Sequence, residues 1–364
     1  MDANLNFSSE TILNDTSHYY SSYQNLEVHK TMLNDKVRNE TYKNAIYTNK
    51  HMFKDKTILD VGAGTGILSI FCAQVGARKV YAVEVSNVAK IAKEIVKENK
   101  LDDVIEVIEN RIEDVSLPCK VDVIVSEWMG FYLLHEGMLD SVLFARDNFL
   151  QSEGKLFPEE CILYTAACQL EDFFPKWNDV CGVQMKSFGL KLRESYQGKP
   201  EITYINEEDL MCVEQEIIRF NLNKINVTDL DHITEKFIIP ASKDGNYQGI
   251  CIWFDVLFPH SDDVSPVVLS TSPWSPETHW KHTVIVLPIE LEVEADEPLA
   301  WELELKRNNT FSRRYDLKLT MLDPEKEKHP SPCGCYYTKC MVIKTFLEDK
   351  VSKNCGENSE NLMV

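Results

Sequence analysis

Thr57-Ile58-Leu59-Asp60-Val61-Gly62-Ala63-Gly64-Thr65-Gly66 decides the fold. A short, mostly apolar run enters a turn in which every second residue is glycine, the pattern of a buried strand ending in a tight loop. Ile67 to Val75 then repeats at helical spacing, and Gly76 reads as the residue that ends that helix. Working outward, Lys79–Val85, Val104–Ile108 and Val121–Ser126 read as further strands, and Ala89–Asn99 and Gly137–Leu150 as helices. Strands alternating with helices of this length predict a parallel, doubly wound α/β sheet with right-handed crossovers. The glycine turn lies where open α/β sheets bind ligands. Its spacing is GxGxG, not the GxGxxG that suits a dinucleotide pyrophosphate. Glu84 ends the second strand. A carboxylate there can accept both ribose hydroxyls of a nucleoside, although a structural turn beside a solvated glutamate reads the same way.

The flanks differ from this centre. Residues 1–17 are polar and expected to be disordered. From Tyr19 to about His51, Leu26, His29, Met32, Leu33, Val37, Tyr42 and Ile46 recur at helical spacing. Past Phe157-Pro158, short β-rich runs dominate: Cys161–Ala167, Gly249–Phe258, His282–Leu287, Leu299–Leu305 and Tyr315–Leu322. They predict a second, antiparallel β domain, sandwich or barrel. Phe173–Leu192 interrupts it as a helical excursion rich in large apolar residues, and Glu325–Val364 reads as a charged, loosely held tail. The expected organisation is therefore 1–50, 51–157, 158–324 with an excursion at about 171–195, and 325–364.

The 364 residues are 44% hydrophobic, enough for one large or two ordinary cores. No apolar run reaches the roughly 18 residues of a spanning helix, and Met1–Thr16 lacks a secretory leader pattern. Eleven scattered cysteines read as reduced thiols of a cytosolic or nuclear protein. A net charge of −20 repels nucleic acid and attracts basic ligands, although acidic surfaces also simply aid solubility. Neither nucleic acid nor membrane is an expected partner.

Ser126-Glu127-Trp128-Met129-Gly130, with Glu136 beyond, follows the fourth strand at the same sheet edge as the glycine turn. Two carboxylates there can converge on one planar cation, since carboxylate–guanidinium pairing is strong and directional. Taken alone, the pair reads slightly better as one capping glutamate and one surface glutamate.

Together, four motifs resemble the protein arginine N-methyltransferases, type I members in particular. Val125-Ser126-Glu127-Trp128-Met129-Gly130 with Glu136 is similar to their double-glutamate loop, and Tyr19-Tyr20-Ser21-Ser22-Tyr23 to their N-terminal aromatic motif. His29 to Arg38 resembles the helix closing over the cofactor, and Thr278-His279-Trp280 their Thr-His-Trp loop. Pro266–Lys281 and Gly130–Arg146 look most like the subfamily of protein arginine methyltransferase six, a nuclear branch. The resemblance implies a Rossmann-like domain binding S-adenosyl-L-methionine, then an antiparallel β-barrel domain with a helical dimerisation arm. Localisation would be nuclear, with the cytoplasm also open.

It also implies residue roles. Arg38 would pair with the carboxylate of the cofactor, over Asp60, Gly62 and Gly64. Glu84 would hold the ribose and Ile112 and Glu113 the adenine, with His29, Met32, Val85 and Met138 completing that site. Glu127 and Glu136 would clamp the substrate guanidinium between Tyr19, Tyr23, Met32, Met138 and Trp280, with His279 and Asp35 paired beside it as catalytic residues. The expected product is asymmetric dimethylarginine in Arg-rich proteins such as histones, made by a homodimer without a metal, leaving S-adenosyl-L-homocysteine. Members making the symmetric isomer carry a bulky aromatic in place of Met32. Three positions depart from the pattern: Tyr20 where Phe is frequent, Ala63 where Cys is common, and Phe131 where Tyr is usual. If that tyrosine hydroxyl orients substrate, Phe131 lowers turnover.

Two rivals share part of this pattern. A methyltransferase of a small molecule or nucleic acid explains the glycine turn and Glu84 but not the paired glutamates or Thr-His-Trp. A catalytically weak scaffold protein is favoured only by Phe131. Separately, Cys333-Gly334-Cys335 with Cys340 has the spacing of the zinc-binding tail of SET-domain lysine methyltransferases. No fourth ligand is evident beside it, so free thiols are expected.

Overall fold

The structure, a computed structural model, describes residues 23–196, 198–261 and 265–347. The first domain is a five-stranded sheet: β1 (Thr57–Val61), β2 (Lys79–Glu84), β3 (Ile105–Glu109), β4 (Val121–Val125) and β5 (Leu150–Phe157). All neighbours are parallel, in the order β3-β2-β1-β4-β5. The order reverses between β1 and β4, which opens a crevice at their carboxyl ends. β1 is buried along its whole length, as a central parallel strand must be.

The long N-terminal helix expected from the pattern is broken. Helix α1 (Leu26–Asn34) stops at Asp35, whose extended backbone and side chain, accepting from the Arg38 N–H at 2.9 Å, start α2 (Lys36–Thr48). A short α3 (Lys50–Phe53) follows. Helices α4 (Ile67–Gln74), α5 (Val88–Glu98) and α6 (Leu139–Phe149) complete the first domain. α6 begins two residues later than the pattern predicts, because Gly137 is left-handed at φ 60°.

The second domain is antiparallel. β6 (Glu160–Cys168), β7 (Glu201–Thr203), β8 (Gln215–Asn221), β10 (Gly245–Leu257), β11 (Val268–Ser270) and β12 (His282–Val293) form one sheet. β9 (His232–Pro240), β13 (Pro298–Arg307) and β14 (Tyr315–Met321) form a second. Both enclose a single core that includes Trp253, Tyr247 and Trp301, all fully buried. Hydrogen bonding runs in these two sheets rather than round one closed ring among the described residues.

An aromatic seam locks the domains together. Tyr42 of α2 meets Phe258 at 4.9 Å between ring centroids, Phe53 meets Phe157 at 4.8 Å, and Phe157 meets Phe258 at 6.2 Å. Each ring is fully buried, a contribution of about 1.5–3 kcal/mol apiece. Arg307 adds a two-pronged contact to Asp140 of α6, at 2.9 and 3.1 Å, and bonds Asp231 at 2.8 Å. The crevice at the sheet edge is thereby held against the second domain.

Two expectations are corrected. The excursion is not one helix: it comprises a 3-10 turn at Pro175–Trp177, a bridge between Val180 and Val183, and α7 (Lys186–Ser195). Phe174 lies buried beneath the Arg193 guanidinium, 4.3 Å from its ring, whereas Val183, Met185, Phe188 and Leu190 are exposed. The tail is not loose as far as residue 347: Cys333, Cys335 and Cys340 are buried, and a helix spans 338–347. No described helix is long and apolar enough to cross a membrane.

Candidate active site

A cavity of about 410 Å³ occupies the crevice between β1 and β4, roofed by α1 and closed on one side by the Thr278–Trp280 loop. That volume suits a small organic ligand. Gly62, Gly64 and Gly66 have φ of 70°, 54° and 85°, conformations that side chains disfavour. A Cβ at Gly62 would collide with Met138, and one at Gly64 would touch the His29 ring at 3.5 Å. His29 is itself fixed, its Nε2 lying 2.8 Å from the Tyr23 carbonyl.

Glu84 is buried at the end of β2. Its Oε2 accepts the Gly64 N–H at 2.9 Å and its Oε1 the Ser86 N–H at 2.7 Å. A carboxylate offers about four acceptor sites, so capacity remains for ligand hydroxyls. On the same lining, Glu113 accepts from the Ser141 hydroxyl at 2.6 Å, and Ile112 and Val85 line the cavity with it. These residues fit a nucleoside ligand: a glycine cradle, a strand-end carboxylate and an apolar slot.

Asp60 does not line the cavity. It is fully buried behind the turn, where Oδ2 accepts from the Ser69 hydroxyl at 2.6 Å and Oδ1 has no partner. Burial pushes its carboxyl up to about 7, against the pull of the Ser69 hydrogen bonds. It stands behind the lining, tied to Ser69 at the start of α4.

The two glutamates do converge. The 126–138 loop folds on itself through Gly130 and Leu133, which exchange backbone hydrogen bonds at 3.0 Å. Tyr132, Leu133 and Glu136 are all left-handed, at φ 42°, 66° and 77°, a concentration of backbone strain typical of functional loops. The loop is anchored at its start, where the Ser126 hydroxyl donates to the Val61 carbonyl at 2.8 Å and Tyr42 donates to the Ser126 carbonyl at 2.9 Å. Both Glu127 and Glu136 line the cavity, and the Tyr23 hydroxyl donates to Glu136 Oε2.

Arg38 lines the same cavity but already has a protein partner. Its Nε and Nη2 lie 2.8 and 2.7 Å from Glu127 Oε2, and Nη1 donates to Asn39 at 2.7 Å. Both side chains of the ion pair are only 7% exposed, so neither charge could be left alone cheaply. The family resemblance implied separate partners for the two residues; the structure also pairs them with each other.

Asp35 and His279 pair at 2.7 Å, with the His279 N–H also donating to Asp35 at 2.9 Å. Burial raises the Asp35 pKa, but hydrogen bonds from His279 and from the Arg38 N–H outweigh it and leave the carboxyl lowered. His279 reaches the cavity while Asp35 stands behind it. Trp280 is buried and donates from Nε1 to the Met129 carbonyl at 2.8 Å, tying its loop to the glutamate loop. Met32 and Met138 face the lining. Tyr19 lies outside the described residues. Phe131 also lines the cavity, and the hydroxyl one residue on, in Tyr132, bonds His135 at 2.8 Å.

Sequence reasoning missed Arg313, whose Nη1 donates to the Glu136 carbonyl at 2.9 Å from the second domain. A Cβ at Gly137 would press on the Arg313 backbone at 3.2 Å. Nothing local in the sequence marks this contact.

Known proteins resemble this chain over most of its length. The family model for the arginine methyltransferase oligomerization subdomain matches residues 159–322, and that for ribosomal protein L11 methyltransferase matches 41–134. Protein arginine N-methyltransferase 1 of Saccharomyces cerevisiae is 38% identical, over 83% of this chain and 87% of its own. Protein arginine N-methyltransferase 6 of Danio rerio is also 38% identical, over 85% and 90%. Among solved structures, the Trypanosoma brucei PRMT1 enzyme-prozyme heterotetrameric complex with AdoHcy superposes with a TM-score of 0.74 at 34% identity, covering 85% of this chain and 98% of that one. The chain belongs to the protein arginine N-methyltransferase family.

Proposed function

We propose that the protein transfers methyl groups from S-adenosyl-L-methionine to arginine side chains of basic proteins, giving monomethyl and then asymmetric dimethylarginine. The observation that carries this reading is the convergence of Glu127 and Glu136 on the cavity that also holds the glycine turn and Glu84. A small-molecule or RNA methyltransferase has no use for two carboxylates aimed at one planar cation.

When bound, S-adenosyl-L-methionine supplies a methyl group carried on a sulfonium. Glu84 would hold the ribose, and Ile112 and Glu113 the adenine. Arg38 has five donor hydrogens, and three are engaged by Glu127 and Asn39. The remaining two can face the cofactor carboxylate without releasing Glu127.

A guanidinium stays protonated at neutral pH, its pKa exceeding about 12, and is a poor nucleophile until its charge is drawn from one nitrogen. Glu127 and Glu136 do this by accepting from the other nitrogens. Arg38 contacts only Oε2 of Glu127, leaving Oε1 for the substrate. Tyr23 and Arg313 hold Glu136 in its strained conformation. Alignment of the free nitrogen supplies much of the remaining rate. The proton released on methylation passes to Glu136 or to the His279–Asp35 pair.

Met32 and Met138 form adaptable walls, which supports a second methylation on the same nitrogen. The exposed apolar residues on and before α7, with the matched oligomerization subdomain, support a homodimer. The chain's net charge of −20 favours Arg- and Lys-rich tails such as those of histones, and a nuclear location follows from that choice. Fragmentation of methylated peptides tests the product: asymmetric dimethylarginine releases dimethylamine, and a predominantly symmetric product would refute the assignment.

A further inference from the structure

Beyond β14 the chain folds back on the second domain. The Tyr336 N–H donates to the Asp296 carbonyl at 3.0 Å, and Gly334 packs so closely that a Cβ there would lie 3.3 Å from the Pro240 ring. This fold-back gathers Cys333, Cys335 and Cys340 round one imidazole. Their sulfurs lie 3.5, 3.4 and 3.4 Å from His329 Nδ1. The cysteines are 4%, 1% and 4% exposed, and the four donor atoms all lie within 4.8 Å of one another. None of them lines the cavity described above.

Hydrogen bonding does not account for this cluster. A neutral imidazole nitrogen has one lone pair and accepts one hydrogen bond, yet three sulfurs surround it at equal range. A disulfide would join two of the sulfurs and leave the third, with the ring, unexplained. A cation at the centre accounts for all four. Tetrahedral zinc, with bonds of about 2.3 Å to sulfur and 2.0–2.1 Å to nitrogen, places nitrogen and sulfur about 3.6 Å apart, close to the distances seen. The imidazole is also oriented for ligation. His329 Nε2 lies 2.9 Å from the Pro324 carbonyl and donates to it, which points the Nδ1 lone pair at the sulfurs, as outer partners of metal-bound histidines do.

We propose that His329, Cys333, Cys335 and Cys340 bind one zinc ion that pins residues 325–347 to the second domain. Soft sulfur ligands favour zinc over hard cations, and four protein ligands leave no open position, so the site is structural. On binding, three S–H bonds break and their protons pass to solvent. Three Zn–S bonds and one Zn–N bond form, with no change of oxidation state.

The test is elemental analysis of the full-length protein, purified without chelator and exchanged into metal-free buffer. About one zinc per chain is expected, falling to the buffer background in Cys335→Ser and His329→Ala. Because either variant could unfold, the wild type is also loaded with Co(II). Visible d–d bands of a tetrahedral centre with a near-UV thiolate band are expected. Metal-free wild type that takes up no cobalt, zinc fully retained in Cys335→Ser, or a mass lowered by a pair of hydrogens through a disulfide would each overturn the proposal.

Discussion

Replacing Glu136 by Gln removes one charge and little else. The amide oxygen still accepts the Tyr23 hydroxyl, the backbone keeps its left-handed turn, and Arg313 still holds the carbonyl. What is lost is the attraction between a carboxylate and the substrate guanidinium. At about 4 Å and an effective dielectric near 20, that is about 4 kcal/mol, or about a thousandfold in rate. We therefore expect kcat at saturating cofactor to fall by about a thousandfold, with cofactor affinity by calorimetry changed less than about twofold. Glu127→Gln should cost a similar factor in kcat but is not equally clean. It takes the carboxylate from a guanidinium that is 7% exposed, so about 1–3 kcal/mol of stability goes with it and Tm drops by several degrees. If Glu136→Gln lost cofactor affinity as severely as turnover, or turned over within about tenfold of wild type, the placing of this carboxylate against the substrate would be wrong.

Met32→Phe should shift the product mixture toward monomethylarginine, read by fragmentation of the modified peptide; an unchanged mixture would remove Met32 from the product-determining wall. Phe188→Ser with Leu190→Ser should give monomers with much weaker activity in ultracentrifugation and assay, since both side chains are exposed on α7; a wild type already monomeric and fully active would end that reading. His279→Ala should lower kcat less than either glutamate change, because it removes only one of two routes for the proton; a larger loss would give His279 the leading role. Asp60 has a folded pKa of about 7 against about 3.9 unfolded. The stability tied to its protonated form is therefore full below about pH 4 and lost as pH rises through 7. Asp60→Asn should flatten that fall in a Tm–pH series, by an amount on the order of 4 kcal/mol, and an unchanged slope would show that Asp60 is ionised in the folded state.

The first domain was legible because buried parallel strands such as Thr57–Val61 are nearly continuous apolar runs, and because the glycine turn and Glu84 sit at fixed places relative to them. β5, β7, β8, β9 and β11 went unread; in β8 and β9 exposed residues, among them Glu235 and Lys236, dilute the apolar signal. The break at Asp35 was hidden because that residue serves two ends at once, stopping one helix and capping the next. Arg313 reaches Glu136 across 177 residues of sequence, a distance over which spacing carries no information. The Arg38–Glu127 pair was missed for a related reason: each residue was matched to a ligand, and burial matched them to each other. His329 lies upstream of Cys333, on the far side of Pro330 and Pro332, where a forward search from the cysteines does not look. Tyr19 falls outside the described residues and adds nothing to either side.

The central claim is that this cavity methylates arginine, and methyl transfer measures it directly. The full chain is incubated with methyl-labelled S-adenosyl-L-methionine and an arginine-rich peptide, its lysine-for-arginine copy, or RNA, and the products are resolved by mass spectrometry. Label on the arginine peptide alone, advancing from one methyl to two, is the predicted result. Label on the lysine copy or on RNA, with none on arginine, would contradict the account.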